Sequence, residues 1–334
     1  MEPIRLGIVG VDSYADILIE LLVRSDRFQL VAICDRRPEV LRRYDQPGGG
    51  WELFDDPREM VLRSGLHVLM VWRDSDRDVF QTVAIEKGIW LIQRRGSENS
   101  LDAAGKLLRL GEKAGVGLLV WSPWLFVPSF ESTTEWLTDQ QIHSVSVRFA
   151  ASDRTLDWPE RDRPPTALTY PSIFCIQKWL GLPESVFCRE QIRATQDADS
   201  PIDYHCSLDL VYPHSLASIS ASLNSGPDRY DVAIHTVGGM LELRLDQARW
   251  FDSRGNLITA SETYPTDQAH RMSYERALNA LWQSYQERQR SSVFELKRHL
   301  GVMAILEAAA LSARTGAPEQ LSKVAELSEI IPIG

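Results

Sequence analysis

Between Leu6 and Asp35 the chain sets out strand, glycine turn, helix, strand and acid in that order, and few folds accommodate it. Leu6–Val9 is a short apolar run. It overlaps Gly7-Ile-Val-Gly10-Val-Asp12-Ser13-Tyr14-Ala15 and passes into helical spacing at Leu18, Leu21 and Leu22. A second apolar run, Leu30–Cys34, ends on Asp35, 25 residues after Gly10. In a nucleotide-binding βαβ unit the glycines let backbone amides approach a pyrophosphate, and the terminal acid accepts hydrogen bonds from a ribose. Here Asp12 stands at the second glycine position and Ala15 at the third. A carboxylate repels a pyrophosphate, so this turn predicts the fold better than the ligand.

The alternation continues. Pro38–Tyr44 reads as a short helix, Gly48–Gly50 as a loop, and Asp56-Pro57 as a helix start with proline at the first position. Val68–Trp72, Ile89–Ile92 and Val116–Trp121 read as strands, and Asp76–Lys87 and Leu101–Ala114 as helices. Repeated βα units with wholly apolar strands predict a doubly wound parallel sheet, Rossmann-like, over residues 1–122. From about Ile142 the pattern alternates with period two, at Val145–Ala150, Ser207–Val211, Leu216–Leu223, Asp231–Thr236 and Met240–Leu245. Such strands have one wet face. Gly238-Gly239 and Ser253–Asn256 are hairpin signals. Trp158–Pro165 is a proline-rich loop, and helices are predicted near 273–289 and 295–315, the second stopping at Gly316. Residues 123–334 therefore read as an α+β domain with a large open antiparallel sheet, its last helix packing back toward the first domain.

The chain has 334 residues, enough for two cores, and an ordinary soluble composition with 44% apolar and 25% charged residues. A net charge of -10 argues against a nucleic-acid or anionic-membrane partner. No apolar run is long enough to span a bilayer. Met-Glu-Pro-Ile-Arg leads straight into a strand without a signal peptide's apolar core, so a cytoplasmic location is expected. Cys34, Cys175, Cys188 and Cys206 lack any C-x-x-C spacing, and no disulfide or metal site is expected from them.

The order and wording of these segments resemble the glucose–fructose oxidoreductase / inositol dehydrogenase / rhizopine-catabolism family of NAD(P)-dependent enzymes. The resemblance spans nearly the whole chain. It is carried best by Ile4–Gly10, Val31–Glu39 (Val-Ala-Ile-Cys-Asp-Arg-Arg-Pro-Glu), Gly88–Ala104 and Leu300–Gly316. It implies hydride transfer between NAD or NADP and a polyol, sugar or related cyclic alcohol. It also implies a homodimer or homotetramer joined through the C-terminal sheet.

The resemblance places a glutamate–lysine–proline motif after the strand ending at Ile92, and Arg94, Arg95 and Gly96 fall there instead. Arginine holds charge and donates hydrogen bonds, but it does not shuttle protons near neutrality. Arg94 and Arg95 therefore read either as a solvated strand end or as a clamp for an acidic substrate. The family's catalytic histidine would fall on Pro171 or Ile173. Tyr170 is the nearby titratable group and, with Arg95, the candidate for catalysis. The cofactor-binding candidates are Gly7, Gly10, Asp12, Ser13, Tyr14, Asp35, Arg36 and Trp72. Asp35 would favour NAD, whereas Arg36 or Arg37 would stack on adenine or meet a 2′-phosphate; Asp35 also reads as a helix N-cap before Pro38. Trp72, Trp121 and Trp124 fall at or beyond strand ends, where ligands bind doubly wound sheets, though core packing explains them equally. With Arg94, Trp121 and Trp124 are the substrate-side candidates, for a sugar-like or acidic ligand. His67, His205, His214 and His299 read as structural. The joint loss of glycine turn, lysine and histidine leaves a second expectation open, a catalytically inactive relative that senses a ligand or joins a complex.

Overall fold

The computed structural model describes residues 2–11, 13–45, 49–72, 77–94, 101–151, 169–193, 203–223, 229–287 and 296–324. Gly48, Trp158–Pro165, Asp12, Arg95 and Gly96 lie outside the described residues. The chain divides into two compact units. Unit 1 is Met1–Ser122 with Tyr274–His299, and unit 2 is Pro123–Ser273 with Leu300–Gly334.

Unit 1 holds a six-stranded parallel sheet ordered β3-β2-β1-β4-β5-β6. The strands are β1 (Ile4–Val9), β2 (Phe28–Cys34), β3 (Glu52–Phe54), β4 (Val68–Val71), β5 (Trp90–Arg94) and β6 (Leu118–Trp121). Between them run α1 (Ser13–Val23), α2 (Pro38–Tyr44), α3 (Pro57–Arg63), α4 (Arg77–Glu86) and α5 (Leu101–Ala114). Every residue of β4 and β6 is buried, as parallel strands require. Pro57 opens α3 behind the Asp56 side chain, which accepts from the Arg58 N–H at 2.8 Å. β3 was not anticipated: three residues are too few to show a period. Because strand order reverses direction between β1 and β4, the chain ends of these strands frame the crevice where doubly wound sheets take ligands.

Unit 2 holds a nine-stranded sheet ordered β14-β13-β12-β11-β7-β10-β9-β8-β15. Its strands are β7 (Ile142–Ala151), β8 (Ser185–Arg193), β9 (Asp203–Val211), β10 (Leu216–Leu223), β11 (Arg229–Thr236), β12 (Gly239–Arg244), β13 (Ala248–Asp252), β14 (Leu257–Ala260) and β15 (Glu319–Gln320). Among the described residues the remaining α-helices are α6 (Pro128–Trp136), α7 (Tyr170–Leu180), α8 (Thr266–Gln286) and α9 (Leu296–Thr315), α8 and α9 each contributing to both units. The predicted antiparallel sheet is in fact mixed, because β10 runs parallel to β7. A return over two intervening strands brings β10 back beside β7 in the same direction, which no hairpin signal reveals. One face buries Val145, Val147, Ile219, Leu208 and Leu241. The other carries exposed Ser146, Arg148, Ser207, Asp209 and Ser220.

Gly239 is required at the β11–β12 hairpin. Its φ of 148° and an added Cβ only 2.0 Å from the Phe251 carbonyl oxygen leave no room for a side chain. Gly316 ends α9 with φ 70° and an N–H bonded to the Ser312 carbonyl at 2.8 Å.

Candidate functional site

The glycine turn of unit 1 closes on a left-handed residue. Gly10 has φ 73°, and its N–H reaches the Cys34 carbonyl at 2.8 Å, tying the end of β1 to the end of β2. This is the conformation a tight strand-to-helix turn demands and glycine tolerates. Gly7 has another reason to be glycine. A Cβ there would sit 3.0 Å from Leu66 Cδ1 and 3.3 Å from Met60 Cε, so its missing side chain is space for the core. Ser13 and Tyr14 begin α1, and their side chains lie outside the described residues, as does Asp12.

Asp35 follows β2 and is buried. Its Oδ2 accepts from the Val11 N–H and from Arg37 Nη2, each at 2.9 Å; its Oδ1 accepts from the Arg37 N–H and Nε, also at 2.9 Å. A carboxylate offers about four acceptor sites, and these four bonds occupy them. The same Nη2 also donates to the Val11 carbonyl at 2.9 Å. Burial pushes the Asp35 carboxyl up, but the Arg37 side chain, the Val11 and Arg37 N–H groups and the guanidinium charge outweigh it and hold it below its ordinary value. Asp35 is thus not the N-cap of α2, a place taken by Arg37, and its oxygens are bonded to Arg37 and to the Val11 N–H. Arg36 is exposed.

At the other half of this sheet edge stands an aromatic layer. Trp72, just past β4, has its N–H bonded to the Val9 carbonyl at 2.8 Å and lies 6.4 Å from Trp121 at the end of β6. Trp121 meets Tyr274 of α8 edge-on at 5.8 Å. All three rings are buried. Arg94, half-buried at the end of β5, places its guanidinium 5.4 Å from the Trp72 ring centroid. Structure therefore brings together Trp72, Trp121 and Arg94 in unit 1. Arg95 lies outside the described residues.

In unit 2, Trp124 occupies a short 3-10 turn, Pro123–Phe126. It meets His270 edge-on at 5.3 Å and Tyr230 at 6.1 Å. Tyr230 Oη lies 3.9 Å from Cys175 Sγ, and burial drives both groups up, the Cys175 thiol to about 12. His270 Nε2 is buried without a hydrogen-bond partner among the described residues, and burial pushes the imidazole below its ordinary value. Sequence reasoning missed His270. It lies in the polar first turns of α8, and only the fold brings Trp124 to it. Tyr170 is buried at the first position of α7.

A dinucleotide would fit part of unit 1: the left-handed Gly10 turn before α1 leaves the backbone open to a phosphate. The ribose end fits only with Arg37 displaced from Asp35.

Solved structures share this architecture. An oxidoreductase from Agrobacterium radiobacter, solved with NAD+, L-tartaric acid and magnesium, superposes with a TM-score of 0.79 at 15% identity, over 96% of this chain and 99% of that one. The fold is that of these oxidoreductases. Biliverdin reductase from Synechocystis, solved with biliverdin and NADP+, gives 0.78 at 13% identity over 93% and 99% of the two chains. A probable dehydrogenase from Thermotoga maritima gives 0.74 at 17% over 96% and 100%. No family model matches the sequence, and no curated protein does. Among the described residues no helix is long and apolar enough to cross a membrane.

Proposed function

We propose that this chain is an oxidoreductase of the glucose–fructose oxidoreductase / inositol dehydrogenase / rhizopine-catabolism type that takes NAD or NADP at the carboxyl edge of the first sheet. Its substrate is a polyol, sugar or related cyclic alcohol. One observation carries the reading: the left-handed Gly10 turn opens α1 at the switch between β1 and β4, where this sheet order takes a pyrophosphate. The turn and the α1 amino terminus, Ser13 and Tyr14 included, would hold the phosphates. Asp35 and Arg36 would face the adenosine ribose, and Trp72 would lie toward the nicotinamide. When bound, the dinucleotide supplies the hydride chemistry, and the protein positions and shields it. Arg94 and Arg95 would anchor an acidic substituent. Trp121 in unit 1, and Tyr170 and Trp124 in unit 2, are the further substrate-side candidates; His270, beside Trp124, would serve as a neutral imidazole for proton transfer. A homodimer or homotetramer through the second sheet would be joined by serine, arginine and aspartate side chains.

A second reading has its own observation. The saturated Asp35 carboxylate and the buried layer of Trp72, Trp121 and Tyr274 favour a catalytically inactive relative that keeps a ligand for sensing or complex formation. Calorimetric titration with NAD, NADH, NADP and NADPH separates the two. Micromolar binding of one of them, followed by turnover of a polyol, sugar or sugar acid read from the absorbance of reduced nicotinamide, supports the enzyme. Absence of binding at millimolar concentration overturns it and favours the second reading.

A further inference from the structure

Strands β8 and β9 bring four chemically distinctive side chains to one point, far along the sequence from any motif. On β8, Cys188 and Glu190 are two residues apart; on β9, Tyr204 and Cys206 are two apart. Side chains alternate along a strand, so each pair shares a face. The antiparallel register sets Glu190 opposite Cys206 and Cys188 opposite Leu208, which places the two cysteines diagonally. Their sulfurs are 3.7 Å apart. The Glu190 carboxylate and both sulfurs all lie within 4.8 Å of one another. Tyr204 Oη donates to Glu190 Oε1 at 3.3 Å.

The sulfur separation is informative. Two zinc–sulfur bonds of about 2.3 Å meeting at a tetrahedral angle place their sulfurs about 3.8 Å apart. A disulfide requires about 2.05 Å, so the cysteines are free in this arrangement. The same face carries a carboxylate and a phenol, Glu190 directly across from Cys206 and Tyr204 one same-face pair further along. Here the thiols and the phenol are buried, whereas Glu190 is half-exposed and leaves an ion a way in.

We propose that Cys188, Glu190 and Cys206 form a structural site for a thiolate-seeking divalent cation of the zinc class. Two sulfurs and a carboxylate oxygen supply three positions of a tetrahedron, and two thiolates select zinc over magnesium or calcium. Tyr204 orients the carboxylate from behind, as groups outside a metal's immediate ligands commonly do. The scaffold is firm on the Cys188 side too. The Cys188 N–H donates to Ser312 Oγ at 2.9 Å, and that hydroxyl donates to the Ala317 carbonyl at 2.7 Å. Bound metal would pin β8 to β9 where the sheet approaches its edge, and binding would release the thiol protons.

The test is cobalt and zinc titration of the full-length reduced protein. The expected result is one Co2+ per chain with sulfur-to-cobalt charge-transfer absorption, bleached by Zn2+ of submicromolar affinity. Cys206→Ser should abolish that absorption, while Cys175→Ser, away from the cluster, should keep it. Glu190→Gln and Tyr204→Phe should each weaken zinc binding by about 10–100-fold, with circular dichroism showing an intact fold. These two variants keep the test decisive if a cysteine variant does not fold. The proposal is overturned if the folded, reduced protein shows no charge-transfer absorption, if the absorption survives loss of both Cys188 and Cys206, or if Glu190→Gln binds zinc as tightly as the parent.

Discussion

Arg37 lies across the carboxylate of Asp35, meeting one oxygen through Nε and the other through Nη2, both at 2.9 Å. The Asp35 side chain is only 4% exposed and that of Arg37 37%. Removing the arginine therefore strands a buried acceptor. Arg37→Ala should cost about 1–3 kcal/mol of unfolding free energy, at the lower end because the guanidinium is partly solvated. It should also free two acceptor sites for a ribose and tighten NAD binding. Urea unfolding and calorimetry read the two effects separately; an unchanged unfolding midpoint would refute the lock.

Gly7 and Gly10 should respond differently to alanine. Gly7→Ala presses on Leu66 and Met60 and should lower stability by about 1 kcal/mol while leaving dinucleotide affinity alone. Gly10→Ala places a side chain at positive φ, costing about 1–3 kcal/mol, and distorts the phosphate turn, so affinity should fall with it. Equal affinity losses in both variants would contradict the division of roles.

The aromatic layer should contribute strongly to stability, its cation weakly. Trp72→Ala should destabilise the protein by about 3–5 kcal/mol, as large-to-small core changes do. Arg94→Ala, which removes a partly solvated cation–π contact, should cost about 0.5–1 kcal/mol. Thermal melts rank the two, and a reversed order would place the energetic weight on Arg94.

Acid should weaken the fold in two windows. Burial pushes His299 down to about 3 and lowers His270 as well, so each is neutral when folded and must gain a proton on unfolding. Their depressed values make stability fall as pH drops below the ordinary histidine value near 6.5, by on the order of 1 kcal/mol per pH unit for each group. Asp35 acts lower down. Its depressed value contributes stability above about 3.8 that is lost below it as the carboxylate protonates. His299→Gln should flatten the upper window and leave the lower one, in urea midpoints measured from pH 7 to pH 3. A profile unchanged in the upper window would remove His299 from the account.

Asp12 and Arg95 are open to binding measurements. Asp12→Gly removes a negative charge beside the expected pyrophosphate and should raise dinucleotide affinity about tenfold, equivalent to about 1.4 kcal/mol. Arg95→Ala should weaken acidic ligands and spare neutral sugars; equal losses would argue against an anion clamp.

Much of the fold was legible because its signals are local. The spacing of apolar residues in α5 and the apolar–serine alternation of β10 from Ala217 onward mark both elements. Pro38 and Pro57 mark the openings of α2 and α3. β8 was not legible: Arg189, Glu190 and Gln191 interrupt its alternation, and its strand character comes from pairing with β9. The same limit applies to sites. An acid followed by two arginines is visible in sequence, but not that the second folds back on the acid. His270 needs Trp124, and Cys188 needs Cys206, each supplied by a distant segment.

The position of β7 has a consequence for the growing chain. This strand is synthesised first in its sheet yet sits between β11 and β10, and its Ser146 meets Ser218, 72 residues later. At about 5–20 residues per second of synthesis, β7 waits several seconds with both edges unpaired. Its long-range pairings also predict slow refolding. Ser144, Ser146 and Arg148 alternate with Val145 and Val147, interrupting what would otherwise be an aggregation-prone stretch. They guard the strand against wrong partners before its right ones exist.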